Sequence, residues 1–291
     1  MPHWLRRMLE EDGKVRITNK IAPNGTLIKV ETIVNETPDL VPVLARLSEL
    51  DKSVVRAFYC SPAVGHVAKR SGEGGFCGYR NIQMLVSYIY LAQAHGHEHF
   101  PSRMPSILLL QDLIERAWDM GFNSDGRIET GGIRLTRKYI GTSEAQALFL
   151  SLGIPCEANA FSSTKTAKAY EAMLCAVGEY FDDDQTKDEV DKVVITDRPP
   201  IYFQHQGHSM TIVGVESRTN GTVNLIVFDP MFNPSAPLKK VAASKRSFWC
   251  ANPAKLLKAH RRGEGYLSKY REFELLKLDE GSTPEHGREL S

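Results

Sequence analysis

The sequence predicts an α+β fold, a helical part packed on a central antiparallel sheet, and three observations predict it. Between residues 78 and 181 apolar residues recur at intervals of three and four, with glycine just past two of the runs, as helices with left-handed C-caps require. Beyond residue 192 the spacing changes to that of strands, in IYFQHQ, SMTIVGVE and TVNLIVFD. The chain has 291 residues, enough to bury a core without disulfides or metal.

The first elements are two short strands, KVRI and TLIKVETI, between Lys14 and Ile33, joined by the turn signal Pro23-Asn24-Gly25. Helical spacing follows from Asp39 to Leu50; its apolar stripe serves either to pack on the core or to hold a partner. Helices are then expected over 78–94, over 107–120 before Gly121, over 143–152 before Gly153, and over 166–181. An acidic polar loop, 182–192, leads into the three strands. A helix over 253–262 follows, with Asn252 as N-cap and Pro253 at its first position, and the last strand is Glu272–Leu278. The tail 279–291 reads as disordered. The division expected is therefore an N-terminal extension, 1–55, and a catalytic domain, 56–278.

Composition excludes several functions. The net charge is +1 with 24% charged residues, which gives no field for nucleic acid or an anionic membrane. The longest purely aliphatic run, Ile107 to Leu110, is far short of a membrane span, and the N-terminus lacks a signal-like apolar stretch. The five cysteines are scattered and never spaced CxxC, so neither a disulfide framework nor a zinc site is expected. The expectation is a monomer of the cytoplasm or nucleus, with no metal and no cofactor.

Chemistry concentrates at GEGGFCGYRNIQML, residues 72–85. A thiol at a helix N-terminus meets unpaired N–H groups and the positive end of the dipole, both of which favour thiolate. Cys77 has that position if the helix begins at Gly78; otherwise it is a small buried hydrophobe. Gly74 and Gly75 let another backbone come close. A nucleophilic cysteine needs a base. In YFQHQGHSMTIVGVE a regular strand would put Gln204 and His208 on one face and His205 on the other. Asp229 ends an apolar strand, and orienting an imidazole would satisfy it. A tight two-residue turn at Asn220-Gly221 would set Asp229 opposite Ile212, about 13 Å along the strand from His208. A longer loop, Glu216 to Gly221, is therefore predicted, with Asp229 opposite His208.

These blocks, with PSILLLQDLIERAWDMGF (105–122) and RKYIGTSEA (137–145), resemble the peptidases of ubiquitin and of the ubiquitin-fold modifier, the ZUFSP-type deubiquitinases above all. The resemblance implies a papain-like fold and a thiol isopeptidase acting on ubiquitin or polyubiquitin chains. It makes Cys77 the nucleophile, His208 the base, Asp229 its orienting partner and Gln204 the side-chain oxyanion donor. It also implies a narrow channel for the modifier's glycine-terminated tail, along Gly74 and Gly75. Glu144 resembles a position that meets arginines of that tail, and is equally suited to the first turn of a helix. A protease for the fold modifier and a silent ubiquitin-binding module are the alternatives; His208 preceding Asp229 favours the ubiquitin branch. Two departures from the family pattern are Phe76 directly before the cysteine, where the family has glycine, and the lack of zinc-finger spacing.

Overall fold

A computed structural model describes residues 1–21, 25–182, 190–244 and 248–279. The turn at Pro23, most of the acidic loop 182–192 and the tail from residue 280 lie outside the described residues. In chain order the elements are α1 (His3–Glu10), β1 (Arg16–Ile21), β2 (Leu27–Thr32), β3 (Glu36–Thr37), α2 (Leu40–Leu50), β4 (Val54–Tyr59), β5 (His66–Val67) and α3 (Cys77–Leu91). Then come α4 (Ile107–Asp119), α5 (Asp125–Thr130), α6 (Thr142–Ser151), β6 (Cys156–Ser162), α7 (Ala169–Phe181), β7 (Val193–Ile195), β8 (Ile201–His205), β9 (His208–Arg218) and β10 (Val223–Phe228). The C-terminal part holds α8 (Ala236–Ser244), α9 (Pro253–Leu257), β11 (Arg261–Arg262), α10 (Glu264–Leu267) and β12 (Glu272–Leu278).

The α+β class is as expected. The main sheet runs β11-β10-β9-β8-β12-β6, and β4 joins it beside β9, pairing also with β7. Every pairing is antiparallel except β4 with β7. Strand β9 is the axis of the sheet: β10 lies along one edge, while β8 takes the first half of the other edge and β4 the second half.

Helix α3 packs across β9 and β8 and is buried from Cys77 to Ile89, so it is enclosed on all sides rather than amphipathic. The polar side chains this burial includes are all partnered. Asn81 donates to the Cys77 carbonyl (2.8 Å) and to Ser209 Oγ (3.1 Å), and accepts from Thr211 Oγ1 (2.8 Å). Gln83 donates to the Pro105 carbonyl at 2.7 Å. Arg80 spans Asp12 (2.6 Å) and Glu73 (2.6 Å), all three side chains fully buried. These bonds fix the helix in both translation and rotation.

The segment expected as an extension shares this core. Leu5 and Leu9 of α1 and the apolar face of α2 belong to the same buried cluster as α3 and the sheet. Strands β1 and β2 are exposed along nearly their whole length. The helix expected over 253–262 stops at Leu257: Asn252 caps it through the Lys255 N–H, as read, but the chain then leaves to form β11 on the free edge of β10. An unpaired strand edge offers backbone bonds that five more helical residues would not, and the Val227 N–H donates to the His260 carbonyl at 2.8 Å.

Candidate active site

Cys77 is the first residue of α3, and its thiol is largely buried. Phe76 stands at the N-cap position and offers no side-chain cap, so no side chain there competes for the N–H groups of the first turn. Its ring is fully buried and edge-on to Tyr79, centroids 5.4 Å apart. Phe76 is thus an apolar anchor that holds the loop down just before the cysteine.

Gln204 and His208 are brought to α3 by a hairpin, not by one regular strand. Gln206 and Gly207 form a two-residue turn, with Gly207 at φ +80°, and His205 pairs directly with His208 while Gln204 pairs with Ser209. His205 and His208 therefore share a face, and Gln204 lies on the other, the reverse of the alternation expected. Gln-Gly is the turn signal that the regular-strand reading passed over. On the α3 side, Ser209 reaches Asn81, and the Tyr202 hydroxyl donates to Gln204 Oε1 at 3.4 Å. That bond leaves the Gln204 amide N–H₂ as the group free to donate.

Asp229 reaches His208 by a route the sequence reading did not foresee. The predicted long loop is absent: the Arg218 N–H donates to the Thr222 carbonyl, so only Thr219, Asn220 and Gly221 turn the chain. The ladder then slips. Val223 to Ile226 pair with Ser217 to Gly214, but Val227 pairs with Ile212, leaving Val213 as an extra residue. Continued without the slip, the first register would set Asp229 against Thr211, which points to Asn81 on the α3 side. With it, Asp229 follows on against Met210, on the same face as His208 and one diagonal step away. The Val213 carbonyl accepts the Cys60 N–H at 2.9 Å, where the partner of β9 changes from β8 to β4. Gly214 makes the bulge possible, since a Cβ there would lie 2.4 Å from the Phe58 carbonyl oxygen.

The result is a bond of 2.8 Å from His208 Nε2 to Asp229 Oδ1. Asp229 is itself held: Oδ1 also accepts the Met231 N–H (2.9 Å), Oδ2 meets Arg262 Nη2 (2.6 Å), and its carbonyl accepts from His66 Nε2 (3.0 Å). Burial raises the Asp229 carboxyl, but His208, Met231 and Arg262 outweigh it and bring it down to about 2. Burial lowers His208, yet its bonds with Asp229 and Cys77 push it up to about 9. Burial opposes the Cys77 thiolate, while hydrogen bonds from His208 and Ser209 bring the thiol down to about 7. Between these two values a thiolate facing an imidazolium is the favoured state. Among the cysteines with a resolved shift, Cys60 and Cys156 go up through burial and Cys175 goes up beside Glu179, while Cys77 alone comes down toward reactivity.

The remaining expected residues surround this centre. Gly74 has φ +84°, and a Cβ there would meet Arg137; a Cβ on Gly75 would strike the ring of Tyr139. Trp4 lies over Gly72 in the same way. Trp4 and Tyr139 are both more than half exposed, so two aromatic rings flank the glycine loop at the surface. Glu144 takes the capping role: its Oε2 accepts the Gly141 N–H at 2.7 Å in the first turn of α6. Trp4, Arg137, Tyr139, Tyr202 and Arg262 were not found by sequence reasoning. Among the described residues no group of three or more His, Cys, Asp or Glu side chains is arranged to hold a metal, and no helix is long and apolar enough to cross a membrane.

Residues 53–276 match the model of peptidase family C78. The zinc finger-containing ubiquitin peptidase 1 of Mus musculus is 30% identical over 253 residues, which cover 86% of this chain and 42% of that protein. The ubiquitin carboxyl-terminal hydrolase mug105 of Schizosaccharomyces pombe is 32% identical over 159 residues, covering 54% of this chain and 60% of that one. Among solved structures, the UfSP of C. elegans matches with a TM-score of 0.44 at 17% identity, over 75% of this chain and 33% of that one. The chain thus spans less than half the length of the mouse protein it matches. The family match runs from β4 to the last strand and includes every element that carries Cys77, Gln204, His208 and Asp229, so the chain belongs to peptidase family C78.

Proposed function

We propose that the protein is a thiol isopeptidase that hydrolyses ubiquitin conjugates or polyubiquitin chains. The observation that carries this reading is the linked set Cys77, His208 and Asp229, with the thiol drawn down and the imidazole drawn up. Because Asp229 engages Nε2 of His208, Nδ1 is the nitrogen left for Cys77. In this reading Cys77 Sγ attacks the isopeptide carbonyl carbon, and the carbonyl oxygen becomes an oxyanion. The Gln204 amide and the Cys77 backbone N–H stabilise it. His208 gives its Nδ1 proton to the lysine amine as the C–N bond breaks, leaving a thioester on Cys77. His208, now neutral, takes a proton from water, whose oxygen attacks the thioester and releases the modifier's carboxylate and the thiol.

In this reading the glycine loop with Gly74 and Gly75 takes the modifier's tail, and Glu144, whose Oε2 is committed to the Gly141 N–H, meets the tail's arginines through Oε1. Ubiquitin as the substrate rests on the sequence likeness and on the order of His208 before Asp229. The test is a pair of probes, ubiquitin and the ubiquitin-fold modifier, each with a C-terminal electrophile. Labelling of Cys77 by the ubiquitin probe, abolished in a folded Cys77→Ala variant, is expected. Labelling by the fold-modifier probe alone would overturn the choice of substrate, and binding without any labelling would overturn the enzyme.

A further inference from the structure

We infer that Arg262 is a positioning residue of this site, which fixes the Asp229 carboxylate and tempers its pull on His208. The inference rests on the triad reading above. Arg262 lies on the short edge strand β11, opposite Leu225 of β10, and its guanidinium is turned inward to Asp229 Oδ2 at 2.6 Å. Both side chains are close to nine-tenths buried, 13% and 11% exposed. The guanidinium has few other places to go: Nη1 donates to the carbonyls of Ala259 and Arg261, each at 3.0 Å, and the ring of Tyr266 lies beneath it at 5.1 Å. Tyr266 in turn bonds through its hydroxyl to His205 Nε2 at 2.7 Å, and His205 is the cross-strand partner of His208.

The two carboxylate oxygens therefore have separate duties. Oδ2 is committed to Arg262, so the carboxylate cannot rotate, and Oδ1 faces His208 with the Met231 N–H as its second partner. Without Arg262 the buried Oδ2 would lose its donor and the carboxylate would no longer be held at both oxygens. The second effect is electrostatic. A fixed positive charge against Asp229 offsets part of the carboxylate's field at His208, so the imidazolium stays acidic enough to give its proton to a leaving amine. The charged and titratable groups facing His208 are Cys77 from α3, His205 from β8 and Asp229 after β10. Behind Asp229 stand Arg262 from β11, His66 from β5 and His260. His66 and His260 are held neutral by burial, with their pKa values pushed down, and Lys239 of α8 acts on His66, so Arg262 is the cation in direct contact with Asp229 apart from His208 itself.

The test compares Arg262→Gln, which keeps a donor and loses the charge, with Arg262→Lys, which keeps the charge. Two readouts are followed against pH: turnover of a ubiquitin substrate with a fluorogenic C-terminal amide, and alkylation of Cys77 by iodoacetamide. In Arg262→Gln the alkaline limb of turnover, and the matching alkaline step in alkylation, move up by about one pH unit. The value of kcat falls about tenfold with KM unchanged, because Arg262 touches no substrate. Arg262→Lys brings the limb back. An unshifted limb in a folded Arg262→Gln variant overturns the inference, as does a change confined to KM or a limb that Lys does not restore. Alkylation needs no ubiquitin, so a parent protein that fails to turn over ubiquitin yet shows the alkylation shift would sink the substrate reading and leave Arg262 standing.

Discussion

Replacing Arg80 by methionine tests how α3, the helix that begins with Cys77, is held. Arg80 is fully buried and is the shared partner of Asp12, from the turn after α1, and Glu73, from the glycine loop. Burial alone would lower its pKa, but the two carboxylates more than reverse that, so the guanidinium is held charged. Methionine fills most of the volume and leaves two buried carboxylates without a cation, while Gln83 loses a donor at 2.8 Å. Removing one partner of a buried pair costs roughly 3–5 kcal/mol. Set against a total stability of about 5–15 kcal/mol, that is a large fraction, though protonation of one carboxyl limits the loss. Denaturant unfolding at pH 7 measures it, with the slope checked for two-state behaviour. Neutralising the stranded acids as well, with Asp12→Asn and Glu73→Gln on top of Arg80→Met, recovers most of the loss. A lone Arg80→Met variant within about 1 kcal/mol of the parent would refute the view that this cluster ties α1 and the glycine loop to α3.

Activity against pH is expected to form a bell, rising as Cys77 ionises near about 7 and falling as His208 loses its proton near about 9; a single rising limb would contradict the ion pair. Stability has its own acid limit, because burial pushes His66 down to about 3 and His260 down to about 4. The unfolded chain takes up these protons below about 6.5 and the folded chain does not, so stability falls with pH through that window, by roughly 2 kcal/mol per histidine at pH 5. Equilibrium unfolding at pH 7 and pH 5, with His66→Gln and His260→Gln reducing the difference, checks the assignment. Gln204→Ala is expected to lower kcat about 10²-fold while leaving the rate of Cys77 alkylation unchanged; an equal loss in alkylation would mean the amide positions the thiol rather than the oxyanion.

Helices α2, α3, α4, α6 and α7 and the three central strands were legible because their periodicity is strong and uninterrupted. Others were hidden for physical reasons. In α1 the buried pair Leu5 and Leu9 is separated by Arg6, Arg7 and Met8, a stripe one residue wide. Strand β11 is two residues long and owes its form to the free edge of β10, which no local signal encodes. The residue types of the proposed triad and their order could be read from the sequence, whereas the geometry that joins His208 to Asp229 could not. The Gln206-Gly207 turn and the glycine within SMTIVGVE were the two signals available, one for the hairpin and one for the bulge. Arg262 gave no signal, since it stands 33 positions from Asp229 in a segment whose local pattern reads as helix.

The extra residue at Val213 turns the spacing between His208 and Asp229 into three separate counts. From His208 to the bulge and from the bulge's partner Val227 to Asp229, each step is a choice of inside or outside, so a single inserted or deleted residue exchanges the two. Between them, Thr219 to Gly221 lies beyond the ladder, where a change of length alters no side chain's direction. In an alignment of such chains, the distance from His208 to Asp229 is therefore a poor guide to an intact site. The two fixed segments on either side of the glycine are the ones to measure, and the loop is the place where natural or engineered insertions belong.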